Sequence, residues 1–243
     1  MLENVKVVLV ETSHPGNIGS VARAMKTMCL ANLYLVAPKI FPSALSTARA
    51  AGADDILASA TICDHLAEAI GDCHLVIGAS ARIRSIAWPL LTPRQCAQKI
   101  RDEGRDKNVA ILFGREHSGL TNAEIDLCQY LLRIPCNADY SSLNLAAAVQ
   151  IIAYELLLMS RDDAAASPEY TVPKANAREL EAFYHHLHQI LLAVDFIHPD
   201  KSRSIMRRLR RLFNRAHLEK KEIDILRGIL SSVQNKLLAK ESK

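Results

Sequence analysis

Short apolar runs punctuate the first two-thirds of the chain: Val5 to Val10, Leu33 to Val36, Leu75 to Ile77, Val109 to Phe113 and Tyr130 to Ile134. They lack the alternation of a half-exposed strand, so they predict strands buried on both faces. Between them, Asn17 to Cys29, His65 to Ile70, Pro93 to Glu103, Asn122 to Cys128 and Asn144 to Ser160 carry apolar residues at helical spacing, with helix-start signals. Alternation of this kind predicts an α/β fold, a mainly parallel sheet with helices on both faces. Ligands of such sheets bind beyond the carboxyl ends of the strands, so the loops after the strands are where chemistry is expected.

Past residue 175 the pattern is helical only. Ala177 to Val194 places Leu180, Phe183, Tyr184, Leu187, Ile190 and Leu191 on one face, and His198-Pro199 breaks it. Lys201 to His217 sets Ile205, Met206, Leu209, Leu212 and Phe213 against a basic remainder, and Lys220 to Leu238 completes a small all-α module. The intervening SRDDAAASPEYTVPKANA has small residues, acids and two prolines without a sustained period, which reads as a linker. The expected division is residues 1–164, a linker at 165–174, and a helical extension at 175–243.

Charge sharpens that division. The 243 residues carry a net charge of +4, yet residues 1–170 hold 15 Lys/Arg against 18 Asp/Glu, and residues 171–243 hold 15 against 8. From Lys201 to Arg215 there are seven basic residues and no acid, a repulsion easier to understand if a polyanion neutralises it. Nucleic acid is therefore the expected partner of that helix. With 49% hydrophobic residues, no apolar stretch near the roughly 20 residues of a membrane span and charges at Glu3, Lys6 and Glu11, a cytoplasmic protein without a membrane role is expected. Cys29, Cys63, Cys73, Cys96, Cys128 and Cys136 form no CxxC pair, so reduced thiols and no metal are expected.

The chemistry concentrates from Asn108 to Glu155. There a strand ends in Gly114-Arg115-Glu116, a second ends at Ile134-Pro135, and Ser141, Ser142 and Asn144 precede a helix. The first strand ends in SHPGNIG, where Asn17 can cap the next helix and Gly19, Ser20 and Ala22 admit a close backbone neighbour. Neither GxGxxG nor GxxxxGK[ST] occurs, so ordinary dinucleotide and P-loop readings lose their support.

Three ordered segments carry a family resemblance. Asn17-Ile18-Gly19 with Arg23, Ile111 to Glu116 with Gly119-Leu120, and Ile134-Pro135 with Ser142-Leu143-Asn144-Leu145 resemble the motifs of SpoU-type RNA ribose methyltransferases of the SPOUT class. Order, spacing and the helical tail are most similar to the TrmJ branch, which modifies tRNA in the anticodon loop. The resemblance implies a SPOUT-like domain over residues 1–164 with a C-terminal trefoil knot, S-adenosylmethionine bound in the knot, and a homodimer formed through that domain. It implies methyl transfer to a ribose 2′-hydroxyl of tRNA, at the cytidine or uridine of nucleotide 32. A different tRNA or rRNA site, and a silent RNA-binding protein of this fold, are the alternatives.

On that resemblance, Arg23, Ser142 and Asn17 are the expected catalytic residues. Ala79, Ser80, Ala81, Gly114, Ile134, Ser141, Ser142, Leu143 and Asn144 are expected at the cofactor, and Arg82, Arg84, Arg115, Arg207, Arg208, Arg210 and Arg211 at the RNA. A guanidinium rarely gives up its proton, so Arg23 is read as a fixed donor to phosphate or to the developing alkoxide. Glu116 is expected to fix Arg23 or Arg115, with general base as its other reading. Trp88 is read as a turn residue packed on the sheet, with base stacking as its alternative. No histidine is assigned to catalysis.

Overall fold

The computed structural model describes residues 1–81, 88–104, 106–137, 139–140, 142–162, 173–199 and 202–241. Arg82, Arg84, Ser141 and most of the expected linker lie outside the described residues. The chain divides into two compact units, Met1–Tyr170 and Thr171–Lys243.

In the first unit the elements run β1 (Val5–Val10), α1 (Pro15–Thr27), β2 (Asn32–Val36), α2 (Ala44–Ala50), α3 (Asp54–Ala58), β3 (Thr61–Cys63), α4 (Leu66–Ile70) and β4 (Leu75–Ala79). There follow β5 (Leu90–Leu91), α5 (Pro93–Gly104), β6 (Val109–Phe113), α6 (Asn122–Ile125), β7 (Tyr130–Leu132) and α7 (Leu145–Asp162). The seven strands form one sheet in the order β3-β2-β1-β6-β4-β7-β5, and every pairing is parallel. β1 and β6 are buried throughout, as their unbroken apolar runs require. Ile18, Val21 and Met25 of α1, Ile100 of α5 and Val149, Ile152 and Leu156 of α7 cover the sheet with one continuous core.

Four of these elements were not foreseen. α2 reads ALSTARA, too short and too small-sided to show an apolar stripe; its helix is fixed by α1. A Cβ on Gly19 would lie 2.0 Å from the Ser46 carbonyl oxygen, so only glycine admits this contact, and Ser46 Oγ donates to the Pro15 carbonyl at 2.9 Å. α3 is a single acidic-ended turn, and β3 and β5 are sheet edges of 3 and 2 residues, below what periodicity can register. β7 stops at Leu132, two residues short of expectation, although Arg133 N–H still donates to the Leu91 carbonyl.

The start of α1 also differs. The helix begins at Pro15, a residue pre-organised for a first turn, and His14 occupies the cap position without a side-chain bond. Asn17 therefore does not cap it, and its side-chain amide is turned to partners in the site instead.

The second unit holds α8 (Ala177–Ala193), α9 (Ser202–Ala216) and α10 (Lys220–Glu241). Asn176 and Glu179 close a reciprocal capping box at the start of α8. Phe183, Tyr184, Leu187 and Ile190 pack with Met206, Ile223 and Leu230, and Phe213 meets Phe183 edge-on at 4.9 Å. Among the described residues no helix is long and apolar enough to cross a membrane.

Candidate active site

β6, β4 and β7 are neighbours in the sheet, and their carboxyl ends open onto a cavity of about 480 Å³. Ala79, Ser80 and Ala81 line it after β4, residues 113–119 after β6, and Leu132, Ile134 and Cys136 around the end of β7. Ser142, Leu143, Asn144, Leu145 and Ala148 close it from the start of α7, and Asn17 reaches in from α1. Three loops distant in sequence thus meet at one end of the sheet, as the strand-end argument anticipates. The Ser80 N–H donates to the Leu132 carbonyl at 3.0 Å, which locks two of those loops together.

The wall after β6 is a tight loop. Gly119 turns at φ 68°, its N–H donates to the Arg115 carbonyl at 2.8 Å, and a Cβ on Gly114 would strike the Gly119–Leu120 backbone at 2.2 to 2.5 Å. Gly114 is required here by close backbone approach. At the other side Asn144 accepts the Ala146 N–H at 2.9 Å, capping α7, while its Nδ2 donates to Asn17 Oδ1 at 3.2 Å.

Asn17 in turn donates from Nδ2 to Glu116 Oε1 at 2.9 Å. The Glu116 carboxylate also accepts the Ser13 N–H (3.1 Å), the Ser13 hydroxyl (2.9 Å) and the His14 N–H (3.2 Å). Glu116 thus fixes the turn into α1 and not an arginine, which corrects the expectation. The physical reason is local: backbone N–H groups ahead of a helix attract a carboxylate, and Ser13 and His14 present two of them. Burial pushes the Glu116 carboxyl up, but the bonds from Asn17, its own backbone and Ser13 outweigh this and hold it at about 2. So low a value leaves it ionised and a weak general base at neutral pH.

The expected residues separate into four groups. Asn17, Ala79, Ser80, Ala81, Gly114, Ile134, Ser142, Leu143 and Asn144 are brought together around the cavity. Arg23 is not: it stands exposed on α1, away from the cavity wall. Arg115 lines the cavity but is held by Glu11 and Glu124. In the second unit Arg207, Arg208 and Arg211 lie on α9 as read, whereas Arg210 pairs bidentately with Glu181 and stacks over Tyr184, its guanidinium carbon 4.4 Å from the ring centre. Trp88 is 6% exposed and its Nε1 donates to the Cys128 carbonyl at 3.0 Å, so it packs and does not stack a base.

Sequence reasoning missed Glu11, Ser13 and Cys136. The first two act through contacts with a loop some hundred residues away, at |i−j| of 104 and 103, a partnership that local pattern does not contain. Cys136 follows Ile134-Pro135 directly and could have been found from that position.

The cavity suits a nucleoside cofactor. Leu132, Ile134, Leu143 and Leu145 offer apolar faces for a flat ring, Leu143 remaining 40% exposed, and the loops at 79–81, 114 and 134 supply backbone donors and acceptors. Among the described residues no group of His, Cys, Asp and Glu is arranged to hold a metal ion.

Relatives agree with this geometry. The SpoU rRNA methylase family matches residues 4–154, and the C-terminal domain of the tRNA methyltransferase TrmJ matches residues 178–243. The tRNA (cytidine/uridine-2′-O-)-methyltransferase TrmJ of Pectobacterium atrosepticum is 52% identical over 236 residues, covering 96% of this chain and 98% of its own. The crystal structure of TrmJ from Z. mobilis ZM4 superposes with a TM-score of 0.83 at 35% identity, covering 94% of this chain and 98% of that one. A probable methylase family protein from Haemophilus influenzae Rd KW20 gives 0.66 at 45% identity, covering 99% and 100%. Three motif segments at one strand-end cavity, with relatives similar from end to end, place the chain in the SpoU methylase family, on its TrmJ branch.

Proposed function

We propose that this protein is an S-adenosylmethionine-dependent tRNA ribose 2′-O-methyltransferase that modifies the cytidine or uridine at nucleotide 32 of the anticodon loop. The observation that carries this reading is the meeting of the loops after β4, β6 and β7 with Asn17 and Ser142 at one cavity. The 52% identity to a tRNA (cytidine/uridine-2′-O-)-methyltransferase supports the substrate class.

When bound, the cofactor supplies an electrophilic sulfonium methyl. The protein's task is then alignment and control of one proton. Ser142, exposed at the start of α7, is placed to orient the ribose hydroxyl. Asn17 has its Oδ1 taken by Asn144 and one N–H by Glu116, so its amide cannot flip, and one fixed N–H remains for the substrate's backbone. Arg23 acts as a permanent cation for the phosphate or the developing alkoxide. Its exposed place on α1 supports a site shared across a homodimer, with the partner's arginine completing each cavity.

The same reading gives a trefoil knot in the chain entering α7, a helix that packs on both α1 and α5. On this reading residues 1–164 are the catalytic domain, 165–174 a linker and 175–243 a tRNA-binding extension working through the exposed arginines of α9; two compact units, parted at Tyr170 and Thr171, support a division in this region. The six free cysteines suit the reducing cytoplasm, where tRNA is found. Incubation with bulk tRNA and labelled S-adenosylmethionine, followed by mass spectrometric mapping, tests the whole reading. A 2′-O-methyl group at nucleotide 32 is expected; label at another nucleotide overturns the position, and no label overturns the activity.

A further inference from the structure

Arg115 reads in sequence as an RNA contact, and the structure gives it different work. Its side chain is 22% exposed and lies between two carboxylates. Nε donates to Glu11 Oε2 at 3.1 Å and Nη2 to Glu11 Oε1. Nη1 and Nη2 donate to Glu124 at 3.1 and 3.0 Å, and Nη1 reaches the Gly119 carbonyl more weakly at 3.5 Å. A guanidinium has five N–H donors, and here each faces an acceptor. None is left for a phosphate, which would also meet two negative groups.

The three partners belong to three segments. Glu11 follows β1 and turns at φ 48°, an uncommon conformation for a non-glycine residue that holds its carboxylate toward the loop. Glu124 sits in the first turn of α6, where it also accepts the Thr121 N–H at 2.7 Å. Gly119 closes the loop itself. The next residue, Glu116, holds Ser13, His14 and Asn17. Consecutive residues therefore tie the cavity wall twice to the turn at 11–17 from which Asn17 enters the site.

We propose that Arg115 is a positioning residue for the cofactor, fixing residues 114–120 as the cavity wall and registering that wall against the turn that carries Asn17, with no contact to RNA. The assignment rests on the cavity holding S-adenosylmethionine. Two bidentate pairs demand a planar fork, so lysine, a point cation, is a poor substitute.

The test uses the full chain and its Arg115→Met, Arg115→Lys and Glu11→Gln variants. S-adenosylhomocysteine, the cofactor without its transferable methyl, is titrated calorimetrically with saturating tRNA present, S-adenosylmethionine is titrated without tRNA, tRNA binding is measured separately, and steady-state KM and kcat are determined. The expected result for Arg115→Met is a rise of about tenfold in cofactor Kd and KM, the size of effect of losing one charge-assisted tie, with tRNA affinity within twofold. Arg115→Lys should recover little of this. Glu11→Gln keeps the arginine and its Glu124 pair, yet should shift cofactor KM the same way; it carries the test if Arg115→Met does not fold. A protein merely losing active molecules would lower kcat and leave KM unchanged. Unchanged cofactor affinity in the variants overturns the assignment, and so does a loss of tRNA affinity with cofactor binding intact, which would make Arg115 an RNA contact. Should the parent chain bind no S-adenosylmethionine, the cofactor reading falls first and this inference with it.

Discussion

Two regions of the molecule hold arginine in opposite surroundings. In the loop after β6, Arg115 has every donor engaged by Glu11, Glu124 and Gly119. On α9, Arg203, Arg208 and Arg215 are exposed and make no hydrogen bond or ion pair among the described residues. Local supply of acid decides between the two. Glu11 and Glu124 flank the loop, whereas no acid occurs from Lys201 to Arg215, and Glu181 of α8 meets Arg210. An arginine met by carboxylates is held as a rigid strut, and one left open stays available to a polyanion such as the proposed tRNA. Arg210 belongs to the first kind, although Arg208 on the same helix belongs to the second.

The sharpest way to break that comparison is to remove an arginine that is open yet assigned to chemistry. Arg23→Ala should lower kcat by about 10²–10³-fold, the magnitude of a lost transition-state donor, with cofactor affinity retained. In a mixed dimer of Arg23→Ala and Ser142→Ala chains, one site would regain both groups if sites are shared. Activity restored in that pairing confirms the shared site, and its absence places Arg23 in its own chain's cavity or outside the reaction. Next in size is the open face of α9. Replacing Arg203, Arg208 and Arg215 by Ala should weaken tRNA binding and flatten the salt dependence by up to about one unit of log–log slope per arginine. Filter binding across a salt series checks it; an unchanged slope would mean that these cations are only solvated surface.

β1, β2, β4, β6 and β7 and the helices α1, α5 and α7 were legible because burial imprints unbroken apolar runs and clear helical spacing. α2 and β3 were not, because Gly19 and the β2 edge create them through tertiary contact. The cavity residues from Ala79 to Asn144 were legible as polar or small groups after strands, and the family motifs picked out residues that the fold does bring to one cavity. What remained hidden was partnership. Glu116 reads as an arginine's anchor until Ser13 and His14 are seen to offer N–H groups, and nothing near Arg115 in sequence announces its pairing with Glu11, 104 residues earlier. Composition counts charges, but only the fold pairs them.

Arg210 sharpens the comparison at smaller amplitude. Its pair with Glu181 is partly exposed, at 21% and 42% for the two side chains, and its stacking on Tyr184 adds a second modest interaction. Arg210→Met should cost about 1 kcal/mol in chemical denaturation and weaken tRNA binding less than Arg208→Ala does. The reverse ranking would return Arg210 to the RNA-facing set.

The smallest effect is expected from Glu116, seen as a pH dependence of stability. Its folded carboxyl lies at about 2, below the ordinary 4.5, because Asn17 and Ser13 bond the charged form against the opposing push of burial. A depressed value stabilises the folded chain fully above the ordinary carboxylate range, and that contribution disappears as pH falls from 4.5 toward 2. Glu116→Gln keeps the shape but loses the charge, so it should be less stable than the parent at neutral pH. The gap should close on acidification through that window, because the parent then loses what the variant never had. Denaturant midpoints taken from pH 7 down to pH 3 measure the closing gap. A gap of constant size would mean that the bonds to Ser13, His14 and Asn17 do not depend on the carboxylate's charge, and that the turn into α1 is held by backbone geometry alone.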